Sequence, residues 1–213
     1  VITFLLLPRV SDPASVAAFL ANRKAARSLN STLLQVDWLA LQRPTTALHL
    51  ACKAGNEALL LQVIDRPCLL EASNAASSRA PLLLKASEVG FSRAVGKLLQ
   101  CPGIDPNASD QDGQTPLMAA ACRGHARVVE QLLLADGICV DQQQMYGLTA
   151  LHVAVREGHV EVVWLLIQVG GANVNARKFE DCGSDTPLIL ASRRNNTGVV
   201  SELLKHRDID TRL

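Results

Sequence analysis

Histidine and glutamate side chains are the first candidates for chemistry in this sequence. His49 and His152 each stand at the fourth place of a Thr-Ala-Leu-His segment, where we expect the ring to hydrogen bond neighbouring loops. Glu157 and Glu161 lie one helical turn apart, the separation of an acid/base pair, but a Gly-His step lies between them. We expect two solvated carboxylates there. The sequence therefore predicts no catalytic residue and a protein that is not an enzyme.

Cysteine spacing argues against a metal site. There is no C-x-x-C pair and no nearby histidine at zinc-ligand spacing, and nothing resembles a phosphate-binding loop, a metal-binding helix or a nucleophile elbow. We therefore predict no metal and no cofactor. Reduced thiols would place the chain in a reducing compartment, the cytoplasm or the nucleus. The cysteines are Cys52, Cys68, Cys101, Cys122, Cys139 and Cys182.

Composition narrows the class of protein and of partner. The 213 residues are 48% apolar, 19% charged and only 3% aromatic, which excludes a disordered tail and favours helices packed closely through small side chains. A net charge of +1 argues against nucleic acid, and the apolar run at residues 1–7 is too short to cross a membrane. We expect a monomer. Because the chain starts and stops without a tail, we also expect it to be a fragment.

The elements that position these residues recur along the chain. Five similar segments follow one another at intervals of about 35 residues, the range typical of solenoid repeats. Each is followed by a second apolar segment of helical length. The five segments begin at Thr46, Pro81, Thr115, Thr149 and Thr186.

One unit illustrates the physics of the repeat. Thr115 is a good N-cap and Pro116 suits the first position of a helix, while Gly124 can end that helix in a left-handed conformation. Val128 and Leu132 then mark the apolar stripe of a second helix. One helix pair cannot bury both stripes, so the units must stack.

Three short motifs in the fourth unit carry a resemblance to a known family. They are the Thr149–His152 segment, the Gly158-His159 turn and the exit loop at residues 171–175. The chain resembles ankyrin repeat proteins over about 170 residues. The resemblance implies an all-α fold, an ankyrin-type α-solenoid of stacked helix-turn-helix repeats with short β-turn or hairpin loops.

The resemblance also suggests a domain organisation. We predict an N-terminal helical segment at residues 1–43 and an ankyrin repeat domain at residues 44–213. The second unit departs from the pattern because Pro81 occupies the N-cap place, and an insertion around residues 178–184 lengthens the loop that enters the fifth unit. The predicted repeats span approximately residues 41–75, 76–109, 110–143, 144–180 and 181–213.

Residues 1–43 allow two interpretations. They could form a helical cap on the first repeat, with Val16, Phe19 and Leu20 on its apolar side. Alternatively, residues 5–38 resemble the later part of an F-box, which would imply a ubiquitin-ligase adaptor as a partner at this end.

The ankyrin resemblance implies a concave binding surface formed by loop tips and inner-helix ends. It implies a partner that is another protein, and a scaffold function for the chain. Two alternatives are the substrate-recognition subunit of a cullin-type ubiquitin ligase and the targeting module of a larger enzyme. Carried over by position, the partner-binding residues are Gln111, Asp112, Gln114, Arg123, Met145, Tyr146, Leu148, Arg156, Glu157, Lys178, Phe179, Arg193 and Arg194.

Overall fold

The computed structural model describes residues 55, 57–64, 76–178 and 185–211. The chain divides into two compact units, residues 1–74 and 75–213. Within the first unit, the structure describes the helix α1 (Glu57–Ile64), in which Leu60, Leu61 and Ile64 are buried. The predicted N-terminal segment and its boundary at residue 43 lie outside the described residues.

The second unit is built from helix pairs. In its described residues, 76–178 and 185–211, there are helices and turns but no strand, which confirms the all-α prediction. The described residues of this unit form four inner helices, of which the first is longer than the other three. Each inner helix is followed by an outer helix. The helices are α2 (Ala76–Val89), α3 (Ser92–Leu99), α4 (Pro116–Arg123), α5 (Ala126–Leu133), α6 (Ala150–Glu157), α7 (Val160–Gln168), α8 (Pro187–Arg193) and α9 (Thr197–Leu204).

The three shorter inner helices begin as the sequence predicts. The Thr115 hydroxyl accepts a hydrogen bond from the Met118 amide at 3.2 Å, and Thr186 repeats this bond at the start of α8. Thr149 forms a full capping box with His152. Pro116 stands first in α4, where its missing amide proton costs nothing.

Helix α2 starts differently from the other inner helices, as the departure from the pattern at Pro81 predicts. The helix begins at Ala76 and not at the N-cap place occupied by Pro81. Proline inside a helix removes one backbone hydrogen bond, but the flanking alanines and leucines are strong helix formers and the chain stays helical.

The core of the second unit lies between stacked helix pairs. Inner helices α2, α4, α6 and α8 pack in that order, and outer helices α3, α5, α7 and α9 pack beside them. Ala119, Ala120 and Ala121 are buried on α4, and Ala150 and Ala154 are buried on α6. These small side chains let neighbouring helices approach closely, which explains the scarcity of aromatic residues.

Candidate functional site

The surface predicted to bind a partner consists of turns and helix ends. We call it the front surface and define it as the turns at residues 110–114 and 144–148 and the helix ends at residues 122–123, 156–157 and 193–194. Each turn closes on a backbone hydrogen bond, from Asp110 N to Gln114 O and from Gln144 N to Leu148 O, both at 3.1 Å.

The two turns are also held to each other. The Met145 amide donates to the Asp112 carbonyl at 3.4 Å. Within the first turn, the Asp110 carboxylate accepts the amides of Asp112 and Gln114 at 3.0 and 2.9 Å. The tips are therefore ordered by backbone hydrogen bonds, independently of the side chains that they display.

Most of the predicted turn residues are accessible. Met145 is 70% exposed and Tyr146 is 64% exposed, side by side at the tip of the second turn. Gln111 and Asp112 are exposed at the first tip, and Gln114 is partly exposed. Large side chains at this tip are thus available to a partner.

Two predicted contact residues are not on the surface. Leu148 is only 7% exposed, because the closed turn directs this apolar side chain back towards the inner helix. Lys178 is also 7% exposed: its amide bonds to the Asp185 carbonyl and its ammonium lies 3.8 Å from the Asp185 carboxylate. Both predictions of an exposed contact are wrong. Phe179 lies outside the described residues.

An ion pair connects the helix ends of the second and third repeats. Arg123 contacts Glu88 at 3.2 Å across adjacent inner helices, and Lys85 contacts the same carboxylate at 2.6 Å. The hydrogen bond from Lys85, followed by that from Arg123, lowers the pKa of Glu88 despite an opposing effect of burial. The Glu88–Arg123 link between repeats was not predicted, since it joins residues 35 positions apart.

Arginines dominate the other two helix ends. Arg156 donates to the neighbouring Glu157 at 2.8 Å, and Arg193 donates to the buried Asp185 at 2.6 Å. Arg194 is exposed and forms no ion pair with any residue that the structure describes. The front surface thus presents guanidinium groups beside the apolar tip.

His152 has the structural role that its position predicts. Its Nδ1 lies 2.9 Å from the Thr149 hydroxyl and its Nε2 lies 3.3 Å from the Asp185 carbonyl. The ring is fully buried, and burial lowers its pKa. It therefore connects its own cap to the next turn. His49 lies outside the described residues.

A second set of histidines joins successive repeats. Nε2 of His125 lies 3.1 Å from the Glu88 carbonyl, and Nε2 of His159 lies 3.2 Å from the Cys122 carbonyl. Each ring lies over the turn glycine of the preceding unit. A Cβ at Gly124 would stand 2.7 Å from the His159 ring. Glycine is required there both by the left-handed backbone and by this close approach.

The exit loops carry a ladder of polar contacts that sequence reasoning missed. Asn107 bonds to the Gly137 carbonyl and the Cys139 amide, and Asn175 bonds equivalently to Asp208 and Asp210. The ladder spans adjacent units and holds them in register. The signal was present as an asparagine at the end of each of these two exit loops.

Metal-binding clusters and membrane-spanning helices are both absent from the described part of the chain. It holds no group of three or more histidine, cysteine or acidic side chains that could bind a metal. It also holds no helix long and apolar enough to cross a membrane.

Two family models match the chain. One, described as ankyrin repeats in three copies, matches residues 82–178, and one described as an ankyrin repeat matches residues 184–212. Neither covers the N-terminal residues, so the F-box-like resemblance gains no support. A search of curated proteins gives no significant match. The two models together cover more than half of the sequence and coincide with the stacked helix pairs, and the chain belongs to the ankyrin repeat family.

Proposed function

We propose that this repeat array is a non-enzymatic scaffold that binds another protein through its front surface. Ankyrin repeats are generally protein–protein interaction modules, typically without catalytic activity. The family resemblance assigns partner binding to the concave side formed by loop tips and inner-helix ends, which correspond to the front surface here.

The observation that carries the proposal is the exposed pair Met145 and Tyr146. Tyrosine, methionine and arginine are enriched at the centres of protein interfaces, and all three occur on this surface. The turn beneath the pair is ordered by hydrogen bonds to its neighbour. A rigid turn loses little conformational entropy when a partner binds, so more of the contact energy contributes to affinity.

A crosslinking experiment tests the location of the site. We would replace Tyr146, or separately Leu134, with p-benzoylphenylalanine and irradiate each variant in a cell extract. Leu134 is a matched control, because it is 69% exposed against 64% for Tyr146 but follows the outer helix α5. We expect discrete adducts from position 146 and none of these from position 134.

Affinity measurements with the crosslinked partner complete the test. Tyr146→Ala and Arg156→Ala should each weaken binding by about 1 kcal/mol or more, while Leu134→Ala should have little effect. Melting temperatures should stay close to that of the wild type in all three variants. Adducts from position 134 alone, or loss of binding only through unfolding, would refute the proposal.

The two alternatives receive no support from the described residues. The ubiquitin-ligase hypothesis rests on residues 5–38, which lie outside them. The targeting-module hypothesis concerns sequence beyond this chain. Co-purification of this chain with the adaptor would test the first alternative.

A further inference from the structure

Three arginines are clustered at one end of the front surface. Arg156 and Arg193 occupy the same place in α6 and α8, each two residues before the left-handed residue that follows the helix, Gly158 or Asn195. Arg194 directly follows Arg193. The two helices pack against each other. Equivalent positions on packed helices are neighbours, because helix axes in contact lie about 8–10 Å apart. We call Arg156, Arg193 and Arg194 the arginine cluster.

The carboxylates that the structure describes around the arginine cluster do not balance its charge. Glu157 pairs with Arg156, and Asp185 pairs with Arg193 while also lying near the buried Lys178. Arg194 adds a further cation that pairs with no described residue. Among the residues that the structure describes, this part of the surface therefore holds more cations than carboxylates, although the whole chain is almost neutral at +1.

Charge along the front surface is also polarised. The turn at residues 110–114 displays the exposed acidic residues Asp110 and Asp112, while Arg123 at the helix end of the same repeat is paired with Glu88. The apolar pair Met145 and Tyr146 follows in the next turn. The order along the stack is thus acidic turn, apolar tip and arginine cluster. A segment lying on this surface would encounter the three kinds of contact in that sequence.

We infer that the partner contributes an acidic segment, which this surface binds in one direction. Its carboxylates contact the arginine cluster, and an apolar residue beside them packs on Met145 and Tyr146. The guanidinium fork matches a carboxylate with two parallel hydrogen bonds, and Arg194 offers its complete set of donors. The arginine cluster attracts the acidic segment at one end of the front surface, and the acidic turn repels it at the other end. These two effects fix the orientation of the bound segment. This inference rests on the proposed function and adds the chemistry of the partner.

Arginine at a helix C-terminus also has a structural use, since it interacts favourably with the helix dipole. A test must therefore separate binding from stability. Arg194→Glu is the main variant, because no described ion pair is lost with it. Arg193→Glu/Arg194→Glu is the stronger variant. Arg127→Glu is the matched control, an exposed arginine on the outer helix α5.

The probe is a random peptide library displayed on phage, selected against the whole chain. We expect the selected peptides to be enriched in aspartate and glutamate next to an apolar residue. Affinity, measured by fluorescence polarisation, should fall about tenfold or more in Arg193→Glu/Arg194→Glu, and less in Arg194→Glu. It should also fall with added salt. Arg127→Glu should bind as the wild type does.

The possible failures are distinguishable. Peptides that lose affinity in Tyr146→Ala but lack acidic residues and tolerate Arg194→Glu would overturn this inference and leave the proposed function intact. Peptides that tolerate both substitutions, or a selection that yields no binder, would overturn both. Circular dichroism and melting temperature identify a variant that has unfolded, in which case Arg194→Lys, which retains charge without the fork, replaces it.

Discussion

The α6–α7 pair and the α8–α9 pair adopt the same arrangement with different residues. Both inner helices begin at a capping threonine. The first ends at Gly158 with φ 82°, whereas the equivalent residue of the second is Asn195 with φ 54°. Asparagine is among the few side chains that enter the left-handed region readily. The two pairs therefore agree more closely in backbone geometry than in sequence.

The two pairs differ more in burial and charge. Six of the eight residues of α6 are buried, but on α8 only Pro187, Leu190 and Ala191 are buried. Before α8, the Lys178 amide bonds to the Asp185 carbonyl and the two side chains form a buried ion pair, whereas the turn before α6 is closed by Gln144 and Leu148. We conclude that α6 stabilises the array mainly through apolar packing and α8 to a larger degree through polar contacts.

The largest expected effect tests this difference in packing. Leu151 is 1% exposed, whereas Leu188, in the same place on α8, is partly exposed. Leu151→Ala should lower the free energy of unfolding by about 2–5 kcal/mol because it leaves a cavity. Leu188→Ala should cost less than half of that. Urea unfolding measures both, and equal losses would abolish the distinction between the pairs.

An intermediate effect tests the turn residues. Gly124→Ala should cost about 1–3 kcal/mol, since alanine is strained at φ 73° and its Cβ would collide with the His159 ring. Asn195→Gly should instead be neutral or raise stability by up to about 1 kcal/mol. Thermal unfolding of the two variants gives the comparison. A neutral Gly124→Ala would show that the histidine contact yields easily.

The smallest expected effect is on the free energy of unfolding at acidic pH. Burial lowers the pKa of His152 in the folded chain, so protons bind the unfolded chain more readily and stability falls as pH drops below about 6.5. The same place on α8 is occupied by Ile189, which does not titrate. In His152→Ile, the free energy of unfolding should decline less between pH 7 and pH 5 than in the wild type. Parallel declines would exclude His152 as the source.

Local sequence signals predicted the inner-helix ends well, because the hydrogen bonds and backbone angles that set those ends involve only a few adjacent residues. A threonine cap bonds an amide three residues along, and glycine ends a helix by its own φ, so Thr115 and Gly124 are informative without knowledge of their neighbours. Pro81 already marked the second repeat as an exception to the pattern, and the structure places it within a longer helix that begins at Ala76.

The candidate surface was predicted less completely. Its exposed tips follow from position in the repeat, but the exposure of a given side chain depends on how its turn closes. Leu148 and Gln114 occupy the same place in equivalent turns, yet Leu148 is buried and Gln114 is partly exposed. Position in the repeat alone does not distinguish them, because both turns close on the same backbone hydrogen bond.

The sequence by itself determined the repeat period, the inner-helix caps and the choice of small apolar residues for the core, since each depends on a few adjacent residues. Only the tertiary structure decided which side chains remain accessible and which cations meet carboxylates. Three kinds of contact join residues of different repeats: the Glu88–Arg123 ion pair, the histidine rings over the turn glycines, and the buried Lys178–Asp185 ion pair. Such contacts exist only once the helix pairs have stacked, because stacking brings distant side chains together and removes them from water.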